Sequence, residues 1–219
     1  MLVLPRIRQP RGLKRIDRTN PFARDLKIAI NGAHPRINAV DSMGVVAVNG
    51  VGTRIGTGGQ GLHWSTTSNI GVKVNSTTAL TNGFSGAALG ITIFVLADPV
   101  ASTTRQVCFG SLKGAQPSFY MWFNANKADT ATSGMFSVAT QGANGANAAG
   151  VVDSGLHAFV CSFASPASTP KLFVDGVDVT ASSTLSSGSA CNDSSCADYV
   201  GGFSSSGFSV INGQYLTLA

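Results

Sequence analysis

From Leu26 onward, short apolar runs alternate with clusters of Gly, Asn and Ser. Runs of this length, rich in Val, Ile, Phe and Thr and bounded by turn formers, read as β-strands. The pattern predicts strands at Leu26–Ile30, Val45–Val48, Gly61–Trp64, Ile70–Val74, Ile91–Leu96, Gln106–Gly110 and Phe119–Asn124. It predicts further strands at Met135–Thr140, His157–Phe163, Lys171–Val174, Val177–Thr180, Tyr199–Phe203 and Gln214–Leu218. About thirteen short strands at this spacing are the signature of an all-β sandwich or barrel. Gln141–Ala149 and Ala181–Ala190, both dominated by small residues, read as loops.

The strongest local signal is KLFVDGVDVT, residues 171–180. Leu172 and Val174 share one strand face, Asp175-Gly176 supplies the positive φ values of a two-residue turn, and Val177 and Val179 alternate with polar residues. In the run from Phe119 to Phe123, Phe119, Met121 and Phe123 share one face and Tyr120 and Trp122 the other. The first face belongs to the core. The second is either covered or offers an aromatic platform to sugar rings, and burial is the favoured reading because large aromatics dominate cores and interfaces.

Residues 1–25 show neither period. Pro5, Pro10, Gly12 and Pro21 break the chain between basic side chains, so this segment reads as an extended arm ahead of a single domain at 26–219. Nine of the fifteen Lys and Arg residues lie in residues 1–36, against Asp17 and Asp25, a local charge of +7. Residues 37–219 hold six basic and eight acidic groups, a charge of −2. The basic character therefore belongs to the arm, and Arg6, Arg8, Arg11, Lys14, Arg15 and Arg18 are its anchoring candidates. With Phe22 its only aromatic, the arm has no stacking series for bases. An acidic protein surface is the expected partner, and nucleic acid is not.

Composition narrows the class further. The chain of 219 residues is 43% hydrophobic, only 11% charged, and contains no Glu at all. Solvated helical faces rely on Glu and Lys, so the composition argues against a helix bundle or doubly wound fold, and it excludes any mechanism that needs a catalytic Glu. Met1 to Pro5 is too short for a secretory apolar region, and the run Ala87–Ala97 is too short to span a membrane. The expectation is a soluble protein made in a cytoplasm.

Candidate chemistry is sparse. Gly56-x-Gly58-x-x-Gly61 matches a dinucleotide fingerprint in form, but strand and turn residues follow it where a helix is required, so it reads as a hairpin loop. His34, His63 and His157 lack a nucleophile elbow to serve, and the last two read as hydrogen-bonded core or sheet-edge histidines. Asp175, Asp178, Asp193 and Asp198 lack calcium-loop spacing and read as turn residues. Cys108 and Cys161 fall in strands and read as buried thiols that pack as small hydrophobes. Cys191 and Cys196 flank a Ser-rich loop and form a candidate local disulfide, against which a reducing cytoplasm weighs equally. No metal or cofactor is expected.

Two segments resemble known families. LHAFVCSF…KLFVDGVDVT…DYVGG, from Leu156 to Gly202, is similar to the second half of laminin-G-like, concanavalin-A-like jelly rolls, where a strand with an early His leads to an L-Y-V-D-G hairpin and then to an I-G-G strand. The resemblance covers residues 26–219 and implies a two-sheet antiparallel jelly-roll sandwich. The family's calcium site has no match here. Its glucanase members share a paired-Glu motif absent from this chain, so the protein is expected not to be an enzyme. The second segment, RQPRGLKRIDRTNPFARDLKIAINGA, resembles the N-terminus of tailed-bacteriophage virion proteins through Asn20, Pro21, Arg24 and Leu26.

That resemblance implies a virion structural protein, a capsid decoration, cement or minor capsid component. Its partners would be major capsid or tail proteins, in a homo-oligomer or symmetric array. The alternative is a carbohydrate-binding, receptor-recognition module of a tail or fibre, with Trp64, Tyr120 and Trp122 as its glycan platform. Circular dichroism checks the fold reading: a sheet-dominated spectrum is expected, and a helix content above about a fifth would contradict it.

Overall fold

The computed structural model describes residues 45–48, 52–56, 59–63, 71–74, 91–97, 106–113, 116–126, 130–140, 144–153, 155–163, 169–183 and 196–200, with single positions 19, 99, 101, 103 and 128. Every regular element among them is a strand. They are β1 (Val45–Val48), β2 (Gly52–Gly56), β3 (Gly59–His63), β4 (Gly71–Val74), β5 (Ile91–Ala97), β6 (Gln106–Lys113) and β7 (Gln116–Ala125). The series continues with β8 (Ala131–Thr140), β9 (Asn144–Ala148), β10 (His157–Phe163), β11 (Lys171–Val174), β12 (Val177–Asp178), β13 (Ser182–Ser183) and β14 (Cys196–Val200).

Twelve of these strands form two antiparallel sheets. The large sheet runs β1-β4-β14-β6-β7-β8-β9-β13 and the small one β12-β11-β10-β5, with β2 and β3 as a separate hairpin. The chain changes sheet between β4 and β5, β5 and β6, β9 and β10, and β12 and β13. β14 inserts between β4 and β6, pairing Tyr199 with Lys73 on one side and Gly110 on the other. The protein is an antiparallel β-sandwich, as the strand pattern predicts.

The two-residue period builds the interface between the sheets. On β5, Ile93, Val95 and Ala97 are buried; on β10, Phe159, Cys161 and Phe163 are. They meet Cys108, Phe109, Met121, Phe123, Phe136 and Val138 of the large sheet in one core. Phe159 of the small sheet stands against Phe123 and Phe136 of the large one, with ring centroids 4.6 and 5.2 Å away. These tilted and edge-on geometries suit the aromatic quadrupole.

The centre of the large sheet is buried on its outer face too. Trp122 and its register partner Ser137 are fully buried there, with Asn124 and Ala139. Polar groups in such a place require partners. Asn124 Oδ1 accepts the Gly134 N–H at 3.0 Å, its Nδ2 donates to Gln106 Oε1 at 3.3 Å, and Ser137 Oγ donates to the Ala125 carbonyl. Asn124 also takes φ 58°, a left-handed conformation that Asn tolerates, at the bulge where β7 slips against β8.

Several expectations change in detail. Asn144–Ala148, read as loop, is strand β9, paired with β8 from Phe136↔Ala148 to Thr140↔Asn144. Its small residues have a steric reason: a Cβ at Gly145 would overlap the Val138 carbonyl oxygen, while Ala146 and Ala148 fill the core beneath large aromatics. Ser182–Ser183, also within a predicted loop, pairs with β9 as β13. The strand expected at Tyr199–Phe203 is described at Cys196–Val200. The predicted strands Leu26–Ile30 and Gln214–Leu218 lie outside the described residues, as does the arm apart from Thr19.

Two substitutions test this packing by denaturant unfolding. Phe159→Ala removes the ring shared by both sheets and is expected to cost about 3–5 kcal/mol. Gly145→Ala is expected to destabilise strongly although it adds one methyl, because the obstacle is backbone. A loss under 0.5 kcal/mol from either would contradict the described interface.

Candidate functional site

The Asp-Gly hairpin forms as its sequence dictates. Val174 pairs with Val177, and Asp175 and Gly176 take φ values of 50° and 85°, both positive as a type I′ turn requires. Beyond the turn, Lys171 Nζ bonds Asp178 Oδ2 at 3.0 Å, and Asp178 Oδ1 accepts the Thr180 N–H at 3.0 Å. The Thr180 bonds and the Lys171 ammonium lower the Asp178 pKa to about 2. Thr180 Oγ1 accepts the Leu172 N–H at 2.9 Å, closing the strap.

The β10–β11 register sets what lies beside the turn. Phe159 pairs with Val174, which carries Ala158 to the level of Asp175. Asp175 N–H donates to the Ala158 carbonyl at 2.9 Å, and its Oδ1 accepts the Ala158 N–H at 2.9 Å. Its second oxygen lies 2.6 Å from His157 Nδ1, and on the far side of the ring Asp153 Oδ1 lies 2.9 Å from Nε2. A single imidazole thus joins the β9–β10 loop, the start of β10 and the turn. The bond to Asp175 chiefly raises the His157 pKa; burial opposes it, and the charges of both carboxylates and the bond to Asp153 add to the rise. The same bond, with the Ala158 N–H, lowers that of Asp175.

This clasp joins residues 18 positions apart and was not among the sequence-predicted sites. The signal for it was present: once β10 pairs antiparallel with a hairpin that turns at Asp175-Gly176, a His at the start of β10 must arrive beside the turn. While it is doubly protonated, with a carboxylate oxygen at each nitrogen, the ring donates on both sides and has no free lone pair.

The sequence-predicted residues fare differently. Trp122 is fully buried, as the favoured reading of its face has it, and this corrects the alternative in which it serves as a sugar platform. Tyr120 is on β7 with its side chain outside the described residues, and Trp64 lies outside them altogether. Cys108 and Cys161 are buried free thiols, the former donating to the Met121 carbonyl at 2.9 Å, and burial raises the pKa of both. Cys196 begins β14 and Cys191 lies outside the described residues, so the candidate disulfide does too. The same holds for Arg6, Arg8, Arg11, Lys14, Arg15 and Arg18.

The glycine motif lies in the β2–β3 hairpin, where Gly56 pairs with Gly59 and Gly61 with Arg54, as its reading predicted. Among the described residues no group of three His, Cys, Asp or Glu could hold a metal ion. The oxygens of Asp175 and Asp178 serve His157, Ala158, Lys171 and Thr180 in and around the turn.

No protein-family model matches the sequence, and no curated protein matches it. Among solved structures, the binding domain of Paraclostridial Mosquitocidal Protein 1 is similar, with TM-score 0.57 and 8% identity over 87% of this chain and 48% of that one. The receptor binding domain of botulinum neurotoxin C/D mosaic serotype gives TM-score 0.47 and 7% identity over 87% and 46% of the two chains. A Shewanella oneidensis MR-1 protein of unknown function gives 0.44 and 11% over 80% and 77%. The chain spans about half the length of the mosquitocidal domain, and at 8% identity that likeness is one of fold alone: an antiparallel β-sandwich.

The clasp has a defined pH window. A His pKa raised above 6.5 stabilises the fold fully below pH 6.5 and ceases to do so as pH rises through the raised value. An Asp175 pKa below 3.8 stabilises above pH 3.8 and ceases to do so as pH falls through the lowered value. Asp175→Asn is therefore expected to cost roughly 0.5–1 kcal/mol at pH 5.5, the range of a solvent-screened pair, and less at pH 8.5. Urea unfolding midpoints of both proteins at the two pH values measure this. An equal gap at both would contradict the assignment.

Proposed function

We propose that this protein is a non-enzymatic structural component of a tailed-bacteriophage virion, a capsid decoration, cement or minor capsid protein held by its N-terminal arm. The observation that carries this reading is the division of charge: +7 on residues 1–36 against −2 on the rest. A nearly neutral sandwich joined to a strongly basic, proline-broken arm separates attachment from presentation. The resemblance of Asn20, Pro21, Arg24 and Leu26 to the start of virion proteins that place a jelly roll after such an arm supports the same reading. Its partners on this reading are major capsid or tail proteins, in a homo-oligomeric or symmetric array, and the protein is made in the host cytoplasm.

Attachment would combine two forces. Arg6, Arg8, Arg11, Lys14, Arg15 and Arg18 supply charge pairing to an acidic surface, and the extended backbone supplies main-chain hydrogen bonds in a groove or along a strand edge. Charge pairing weakens as the screening length falls to about 3 Å near 1 M salt, whereas buried backbone pairing does not.

A second reading has its own support. The similar mosquitocidal domain is described as a binding domain, and a sandwich of this kind presented at a particle surface would suit recognition of a receptor glycan. With Trp122 buried, the platform residues left to that reading are Trp64 and Tyr120.

Deletion of residues 2–20 separates the two readings. The truncated protein is expected to keep its sheet-rich circular dichroism but to be absent from purified particles, while 1 M salt loosens the intact protein only in part. Incorporation of the truncated protein at full occupancy would contradict arm anchoring. Micromolar binding of the arm-deleted body on a glycan array would favour recognition over scaffolding.

A further inference from the structure

Both ring nitrogens of His157 lie within hydrogen-bond distance of carboxylate oxygens, 2.6 Å to Asp175 and 2.9 Å to Asp153. An ionised carboxylate only accepts, so two such bonds require a proton on each nitrogen. The arrangement is one of an imidazolium. Loss of either proton turns one of the two contacts into a lone pair facing a negative oxygen.

The two contacts are not equally held. Asp175 is fixed by the hairpin turn and by reciprocal backbone and side-chain bonds with Ala158 at 2.9 Å. Asp153 projects from the β9–β10 loop with its side chain 69% exposed. That loop is secured upstream, where the N–H groups of Val151 and Val152 both donate to the Gly134 carbonyl at 3.0 and 3.1 Å and Val152 is buried. Downstream, Asp153 Oδ1 reaches His157 Nε2 at 2.9 Å, a side-chain tie from the loop toward the hairpin. Space is provided for it, because a Cβ at position 155 would come within 3.0 Å of His157 Nε2.

We infer that His157 is a pH-operated latch: when doubly protonated it fastens Asp153 to the Asp-Gly hairpin, and when neutral it keeps Asp175 and releases Asp153. Among the described residues, the charged groups that face the ring are those two carboxylates. Lys171 and Asp178, further along the hairpin, bond each other at 3.0 Å, and the Phe159 ring meets the imidazole edge-on with centroids 6.1 Å apart. The latch thus has one moving part, the loop, and one proton that operates it. Its consequence is a sandwich end, carrying the exposed Val177, whose outline differs between mildly acidic and alkaline surroundings.

The test is nuclear magnetic resonance of the full chain, with the His157 ring signals assigned by their loss in His157→Gln. Long-range proton–nitrogen spectra at pH 6 are expected to show both ring nitrogens protonated, and titration is expected to place the transition above 6.5. Between pH 6 and pH 9 the amide-exchange protection of Gly155 and Leu156, corrected for intrinsic rates, is expected to fall about two- to fivefold, the range open to an exposed ion pair. In Asp153→Asn, which alters an exposed side chain outside the core, that protection should be reduced at pH 6 and independent of pH. A neutral His157 ring at pH 6, or loop protection that does not change with pH in the unmodified protein, would overturn the latch. Asp153→Asn protection that still follows pH would overturn the assignment to Asp153.

Discussion

The fold depends on one packing event, the seating of Phe159 against Phe123 and Phe136. The small sheet has four strands, and its strand β12 holds only two residues. Its apolar face is covered by the large sheet, and that burial holds the two layers together. Phe159, on a strand inside the small sheet, is fully buried against two rings of the large one, and Ile93, Val95, Cys161 and Leu172 extend the contact along the two-residue period. The hairpin, the clasp and the loop above it are all positioned by β10, so they depend on that seating.

The large sheet solves a different problem. Its centre is buried on both faces, yet it carries Asn124 and Ser137. Each is placed where a bulge or a neighbouring strand supplies a partner, so a bulge that would otherwise leave a backbone N–H unpaired becomes a connection. Asn124 takes the Gly134 amide, and Gly134 in turn gives its carbonyl to Val151 and Val152. The chain of bonds ends at the loop that carries Asp153. The polar interior and the clasp therefore form one path from the sheet centre to the sandwich end.

How far this was legible in the sequence depended on whether the deciding interaction was local. Asp175-Gly176 fixes its own turn, so the hairpin could be read directly. β10 could be read from its alternation, and both core cysteines from the strands that hold them. β9 could not, because Gly145, Ala146 and Ala148 owe their place to the size of what lies opposite, and small residues carry no strand signal of their own. The burial of Trp122 was open for the same reason: alternation assigns it a face but cannot say what covers that face. The His157 clasp was legible only in part, since His and hairpin stand together in the laminin-G-like resemblance but their contact follows from the register. The arm rests on charge and proline spacing alone, and apart from Thr19 it lies outside the described residues.

The central functional claim is that the arm attaches and the sandwich presents. Its most direct test is a cryo-electron-microscopy reconstruction of the particle with this protein bound, at a resolution that traces side chains. The account predicts density for Arg6 to Arg18 as an extended strand against acidic side chains of a neighbouring protein, with the sandwich facing outward. An arm that projects into solvent or lies along packaged nucleic acid, while the sandwich itself makes the protein contacts, would contradict it.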